Sequence, residues 1–122
     1  MDPKAAVTIL AALAQDTRLA IFRLLVTHGQ SGLSVGQIGE ALEVPGATLS
    51  FHLKELTRAR LIEPRQEGRF IFYVANFTEM EALLGFLTEN CCTAPGCSAP
   101  PQGVTEPTFF KARKQPNLSG LL

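Results

Sequence analysis

Three cysteines fall within seven residues, Cys91, Cys92 and Cys97, in the stretch NCCTAPGCSAP. An isolated cysteine usually behaves as a small buried hydrophobe, but three gathered at what reads as a helix end form a set of soft ligands. Asn90 suits a helix C-terminal cap, and Pro95-Gly96 suits the central pair of a type II turn that would bring Cys97 back toward Cys91 and Cys92. Three sulfurs in a pyramid suit trivalent arsenic or antimony, whose lone pair fills the remaining direction. Zinc takes a fourth ligand in a tetrahedron. The two histidines, His28 and His52, are far away in sequence, which leaves Glu89 or water for that place. Two other uses of the thiols stay open. A disulfide from Cys97 to Cys91 or Cys92 would make a redox switch, although no Lys or Arg lies beside the cluster to lower a thiol pKa. A small thiol enzyme is the other, but Cys-Cys is not the Cys-x-x-Cys spacing of thioredoxin-like proteins, and no alternating strand-helix pattern surrounds it. There is no hydrolytic triad or glycine-rich phosphate loop either, so neither an enzyme nor an organic cofactor is expected.

A second constellation lies upstream, in LSVGQIGEALEVPGATLSFHLKEL from Leu33 to Leu56. Val35, Ile38 and Leu42 recur at helical spacing, the chain breaks at Glu43-Val44-Pro45, and Leu49, Leu53 and Leu56 make a second apolar stripe. Pro45 suits the first position of that second helix. The pattern predicts a helix-turn-helix. Gly46, Ala47, Thr48 and Ser50 are small or hydroxylated, so a backbone could approach a flat surface closely, with His52 and Lys54 as donors behind them. A helix that reads base edges in a DNA major groove needs such a face. Small residues also occur between helices in many cores, and the residues that follow weigh against that plainer meaning.

Leu61 to Val74, LIEPRQEGRFIFYV, is two extended runs around Gln66-Glu67-Gly68-Arg69. Phe70, Phe72 and Val74 alternate with Ile71 and Tyr73, and Gly68 supplies the turn. A hairpin directly after a helix-turn-helix is a wing. Lys54, Arg58, Arg60, Arg65 and Arg69 lie between the reading helix and the wing tip, opposed by Glu55, Glu63 and Glu67. Gly46, Ala47, Thr48, Ser50, Phe51, His52, Lys54, Arg58, Arg65 and Arg69 are the expected DNA contacts. The overall charge is zero, with eleven basic and eleven acidic residues, so a solvated face of alternating charge is the competing reading.

ATLSFHLKEL followed by ARLIEPRQEGRFIFYV resembles the winged-helix core of the ArsR/SmtB family of bacterial metal-responsive repressors, over roughly residues 5 to 92. Asp16-Thr17-Arg18-Leu19 with Ile21 and Leu24-Leu25 resembles the start of that family's second helix. The resemblance implies a mainly α fold with a two-stranded β wing, in the order α-α-α-α-β-β-α. It also implies a two-fold homodimer whose recognition helices enter successive major grooves of operator DNA. The family's best-known arsenic site, a Cys-Val-Cys pattern at the start of the third helix, is replaced here by Ser34, Val35 and Gly36. Its zinc site on the final helix begins Asp-x-His, where this chain has Asn76, Phe77 and Thr78. What remains resembles the members that bind arsenite through a cysteine pair and one more cysteine at the end of the final helix. The expectation is a repressor released when As(III), or Sb(III), is held by Cys91, Cys92 and Cys97. Pro45 and Phe51 depart from the polar cap and the Arg that the family often carries, which bears on the operator sequence.

The elements that must position these groups are legible in outline. Lys4 to Ala14 predicts a first helix with Ala5, Ile9, Ala12 and Leu13 on adjoining faces. Asp16 is expected to cap a second, from Thr17 to about Thr27, burying Leu19, Phe22, Leu25 and Val26, and His28-Gly29 stops it. A last helix from about Phe77 to Asn90 carries Phe77, Met80, Leu83, Leu84 and Leu87, which serve either the core or a second copy of the chain. Residues 1–92 form the expected DNA-binding and dimerisation domain. Residues 93–122 are expected to be the cysteine loop and a flexible tail, since Pro100, Pro101, Pro107 and Pro116 interrupt any regular element. Phe109-Phe110 with Lys111, Arg113 and Lys114 could dock on the domain or touch DNA. The 46% hydrophobic composition excludes a fully disordered chain. Met1-Asp2-Pro3 is no signal peptide and no run is long enough for a membrane span, so the cytoplasm is the expected location.

Overall fold

The computed structural model describes residues 1–92, and the chain divides after Leu87 into two units. The first holds five helices and a small sheet: α1 (Pro3–Leu13), α2 (Asp16–His28), β1 (Leu33–Ser34), α3 (Val35–Leu42), α4 (Gly46–Arg58), β2 (Ile62–Glu67), β3 (Phe70–Ala75) and α5 (Phe77–Leu87). Of the second unit, Thr88–Cys92 are described. Among the described residues no helix is long and apolar enough to cross a membrane.

Local chemistry sets most boundaries. Asp2 caps α1, accepting from the Ala5 N–H at 2.7 Å. The cap of α2 is Gln15 rather than Asp16: its extended backbone lets Oε1 reach the Arg18 N–H at 2.9 Å, and Asp16 becomes the first helical residue. Gly29 ends α2 as expected, at a φ of +54°. Ser34 and Gln37 form a reciprocal capping box that opens α3. Pro45 is the cap of α4 rather than its first residue, and Asn76 opens α5 by accepting from the Glu79 N–H at 3.2 Å. The final helix stops at Leu87, short of the expected Asn90.

The core is shared among the helices. Ile9 of α1, Ile21 and Leu25 of α2, Ile38 of α3, Leu49 and Leu56 of α4, and Leu61 and Ile62 beyond it are almost wholly buried. Each such side chain contributes about 1.5–3 kcal/mol relative to leaving it exposed. Gly39 permits the close approach of α3 to α4, since a Cβ there would lie 3.2 Å from Leu49 Cδ2. The expected apolar faces shift in detail. Ala6 and not Ala5 is buried on α1, and Ile21 replaces Leu19 on α2.

The expected two-stranded wing is the β2–β3 hairpin, and Leu33 and Ser34 add a short third strand by pairing with Tyr73 and Phe72, giving an antiparallel sheet in the order β1-β3-β2. Glu67 faces Phe70 across a two-residue turn, with Gly68 at a φ of +65° in the place a tight hairpin reserves for glycine. Pro64 sits on the edge strand β2, where its missing N–H breaks no ladder bond to a further strand. Gly32 is required outright: at a φ of +69°, any Cβ would sit 2.6 Å from the Tyr73 carbonyl oxygen.

Candidate nucleic-acid interface

Helix α4 buries one face and presents the other. Leu49, Leu53 and Leu56 turn inward, while Ala47, Thr48, Ser50, Phe51, Lys54 and Arg58 are exposed. No side chain caps its N-terminus at Pro45, so the N–H groups of Gly46, Ala47 and Thr48, which precede the first helical bond from Leu49 to the Pro45 carbonyl at 2.9 Å, have no capping side chain. Between this helix and the wing lies an open groove of about 400 Å³, with Ser50, Lys54, Thr57 and Arg58 on the helical wall and Pro64 and Tyr73 on the other. Arg58 pairs with Glu55 at 3.1 Å, a surface contact that a competing anion can displace.

Two of the expected contacts are committed elsewhere. His52 is 7% exposed, the one buried polar side chain of the described core, and it does not stand on the surface with Lys54. Its Nδ1 lies 3.2 Å from Arg18 Nη1, and Arg18 Nε donates to the Ala12 carbonyl at 2.7 Å, so the pair ties α4 to α2 and the end of α1. Burial, and then the Arg18 charge, hold the imidazole pKa below its usual value. The neutral ring accepts from the guanidinium at Nδ1. Arg65 is the second case. Nη1 and Nη2 donate to the carbonyls of Gln30 and Ser31 at 2.6 and 3.1 Å, and Nε bonds Glu67 at 2.7 Å. It pins the wing to the turn after α2. Arg69 and Gly68 occupy the exposed wing tip, with Phe70 beside them.

Sequence reasoning passed over Asn76 except as a missing metal ligand. It is a joint: its Nδ2 donates to the Arg60 carbonyl at 3.0 Å, and its N–H to that of Leu61 at 2.8 Å. The signal was present, since Asn three residues before Glu79 is a helix start.

The second unit carries the thiols. Asn90 and Cys92 adopt left-handed backbone, and the Cys91 N–H donates to the Thr88 carbonyl at 3.0 Å. Cys91 Sγ and Cys92 Sγ are 3.3 Å apart, and both thiols are free. The hydrogen bond with Cys92 raises the Cys91 pKa, with the neighbouring sulfur's charge and burial adding to it. Two sulfurs bonded to one atom at about 2.3 Å, a usual metal–thiolate distance, can lie up to about 4.6 Å apart, so this pair fits a shared soft centre. Cys97 and the proline-rich segment lie outside the described residues. Among the described residues, no group of three or more His, Cys, Asp or Glu side chains gathers as a metal site.

A helix-turn-helix domain family model matches residues 13–65. The transcriptional activator HlyU of Vibrio cholerae is 36% identical over 89 residues, covering 73% of this chain and 80% of that one. Its solved structure superposes with a TM-score of 0.59, at 34% identity over 75% of this chain and 99% of HlyU. The arsenical resistance operon repressor of Bacillus subtilis is 37% identical over 81 residues, 66% of this chain and 73% of the repressor. The homodimeric winged helix-turn-helix domain of Mb0332 from Mycobacterium bovis, described as a possible ArsR-family regulator, matches with a TM-score of 0.57, at 27% identity over 71% and 81% of the two chains. With the exposed reading helix, the wing and these relatives taken together, the chain belongs to the ArsR/SmtB family of winged-helix transcriptional regulators.

Proposed function

We propose that this regulator is an arsenite-responsive repressor that binds operator DNA as a two-fold dimer and lets go when As(III) is held by Cys91, Cys92 and Cys97. The observation that carries the reading is the vicinal thiol pair, 3.3 Å apart and four residues beyond the end of α5. Arsenous acid and three thiols condense so that three S–As bonds form, three As–OH bonds break, and the thiol protons leave in water. Cys91, whose hydrogen bond with Cys92 raises its pKa, must give up its proton as the S–As bond forms, so arsenite uptake would be pH dependent. Antimonous acid would react in the same way.

DNA would be met by Ala47, Thr48, Ser50 and Phe51 at base edges, with Lys54, Arg58 and Arg69 on phosphates. The groove between α4 and the wing would seat one strand's backbone. Dimerisation is supported by the apolar side chains left outside the core on α1 and α5, Val7 at 63% exposed and Leu87 at 53%, with Leu10 and Leu84 beside them. The homodimeric relative supports it too, and the Bacillus subtilis relative supports repression. Tying the residues after α5 into one arsenic centre would bias the dimer toward a geometry whose recognition helices no longer match successive grooves. Tenfold release needs about 1.4 kcal/mol of such bias.

A redox switch at the same thiols is the second reading, favoured by the sulfur contact itself. It is opposed by the absence of any Lys or Arg beside the cluster in sequence to lower a thiol pKa. Native mass spectrometry of the reduced chain tests both. Two arsenic atoms per dimer, each with three protons lost and absent from cysteine-to-serine variants, supports the proposal. No arsenic adduct, with peroxide instead yielding an intramolecular disulfide, favours the redox switch.

A further inference from the structure

Phe51 is an anomaly on the face α4 presents. Its neighbours there, Ala47, Thr48, Ser50 and Lys54, are small or polar, while Phe51 is a large apolar ring 56% exposed. One aromatic among polar side chains is too small a patch for docking another protein. The ring has a neighbour on its own helix. It meets the His52 imidazole edge-on, with centroids 5.4 Å apart and planes at 64°, and His52 is buried and held by Arg18. His52 is the next residue along the helix, so the contact places the ring beside an imidazole that the core holds. A phenyl ring has no hydrogen-bonding group, so it cannot read a base by donors or acceptors. The one apolar group a base pair offers in the major groove is the 5-methyl of thymine.

We propose that Phe51 is a specificity-determining residue that packs on a thymine 5-methyl in each half-site. This rests on the DNA-binding reading above. Small residues one turn earlier, Gly46 and Ala47, let the helix come close enough for the ring to reach the groove floor. Ala47 and Thr48 also carry methyl groups, so the test must separate them from Phe51.

The probe is a library of random-sequence duplexes, selected with the reduced full-length chain at low salt. Failure to enrich any duplex would sink the DNA reading itself, and this proposal with it. Enrichment with thymine fixed at one position per half-site is the expected result. Replacing that thymine by deoxyuridine removes only the methyl, and should weaken wild-type binding about fourfold per half-site, the worth of one buried methyl group. Phe51→Ala should bind the thymine and deoxyuridine duplexes equally. The swap is made in the DNA, so its effect on the wild type does not depend on any variant folding. Enriched duplexes whose thymines can all be replaced without loss would overturn the proposal. A methyl effect that Phe51→Ala retains would also overturn it, assigning the contact to Ala47 or Thr48.

Discussion

Replacing Arg18 by Met keeps the aliphatic stem and removes the guanidinium that locks the recognition helix to the rest of the domain. The bond to the Ala12 carbonyl at 2.7 Å and the contact with His52 Nδ1 at 3.2 Å are both lost. A hydrogen bond from a charged donor contributes about 1.5–3 kcal/mol, and a buried nitrogen left without a donor costs about 1–3 kcal/mol. Arg18 is only partly buried and the two losses overlap, so the expected destabilisation is about 2–3 kcal/mol. For a domain of this size that lowers Tm by about 10–20 °C, readable by circular dichroism at pH 7.5. The pH dependence gives a second readout. The folded-state pKa of His52 is depressed, so as pH falls the unfolded chain takes up the proton first. Stability is therefore unaffected above about pH 6.5, the ordinary histidine value, and is lost as pH drops from there toward the folded-state pKa. Arg18→Met removes one cause of the depression and should make that loss shallower. A Tm within about 2 °C of wild type, or an unchanged acid slope, would refute the role given to this pair.

Gly32→Ala should cost at least about 2 kcal/mol, since it combines a left-handed φ with a collision against the Tyr73 carbonyl, and a urea midpoint would show it. Arg65→Ala should cost only about 1 kcal/mol globally, because the side chain is partly solvated, yet hydrogen exchange in β2 and β3 should rise as the wing loses its tie to Gln30 and Ser31. Leu10→Glu with Leu87→Glu should leave the circular dichroism spectrum intact and turn a dimer into a monomer by light scattering. A variant that stays dimeric would move the interface away from α1 and α5.

The helix-turn-helix was legible because Leu49, Leu53 and Leu56 repeat at helical spacing and a proline marks the turn. The wing was legible from its alternation and from Gly68. What sequence could not show was which polar residues the core would claim. His52 lies on the same helix as Lys54, but its position faces α2, where Arg18 waits 34 residues earlier. Arg65 reads as one more basic side chain until the turn at Gln30 and Ser31 offers it two carbonyls, from 35 and 34 residues away. The strand at Leu33–Ser34 is two residues long, too short to leave a period, and exists only through pairing with β3. Ser34 and Gln37 form a capping box at the start of α3, a signal that sequence reasoning passed over. The pairing of Cys91 with Cys92 needed only adjacency, whereas the expected return of Cys97 falls outside the described residues.

The proposed control of DNA affinity by arsenite acts through the thiols. It is tested most directly by fluorescence anisotropy of the reduced chain on a selected duplex, titrated with arsenite in the presence of a phosphine reductant, which offers no competing thiol. Affinity should fall at least about tenfold, saturating at one arsenite per protomer, and Cys91→Ser/Cys92→Ser should bind the duplex equally well and not be released. Wild-type protein that stays on DNA with arsenic bound, or a double variant released like the wild type, would contradict it.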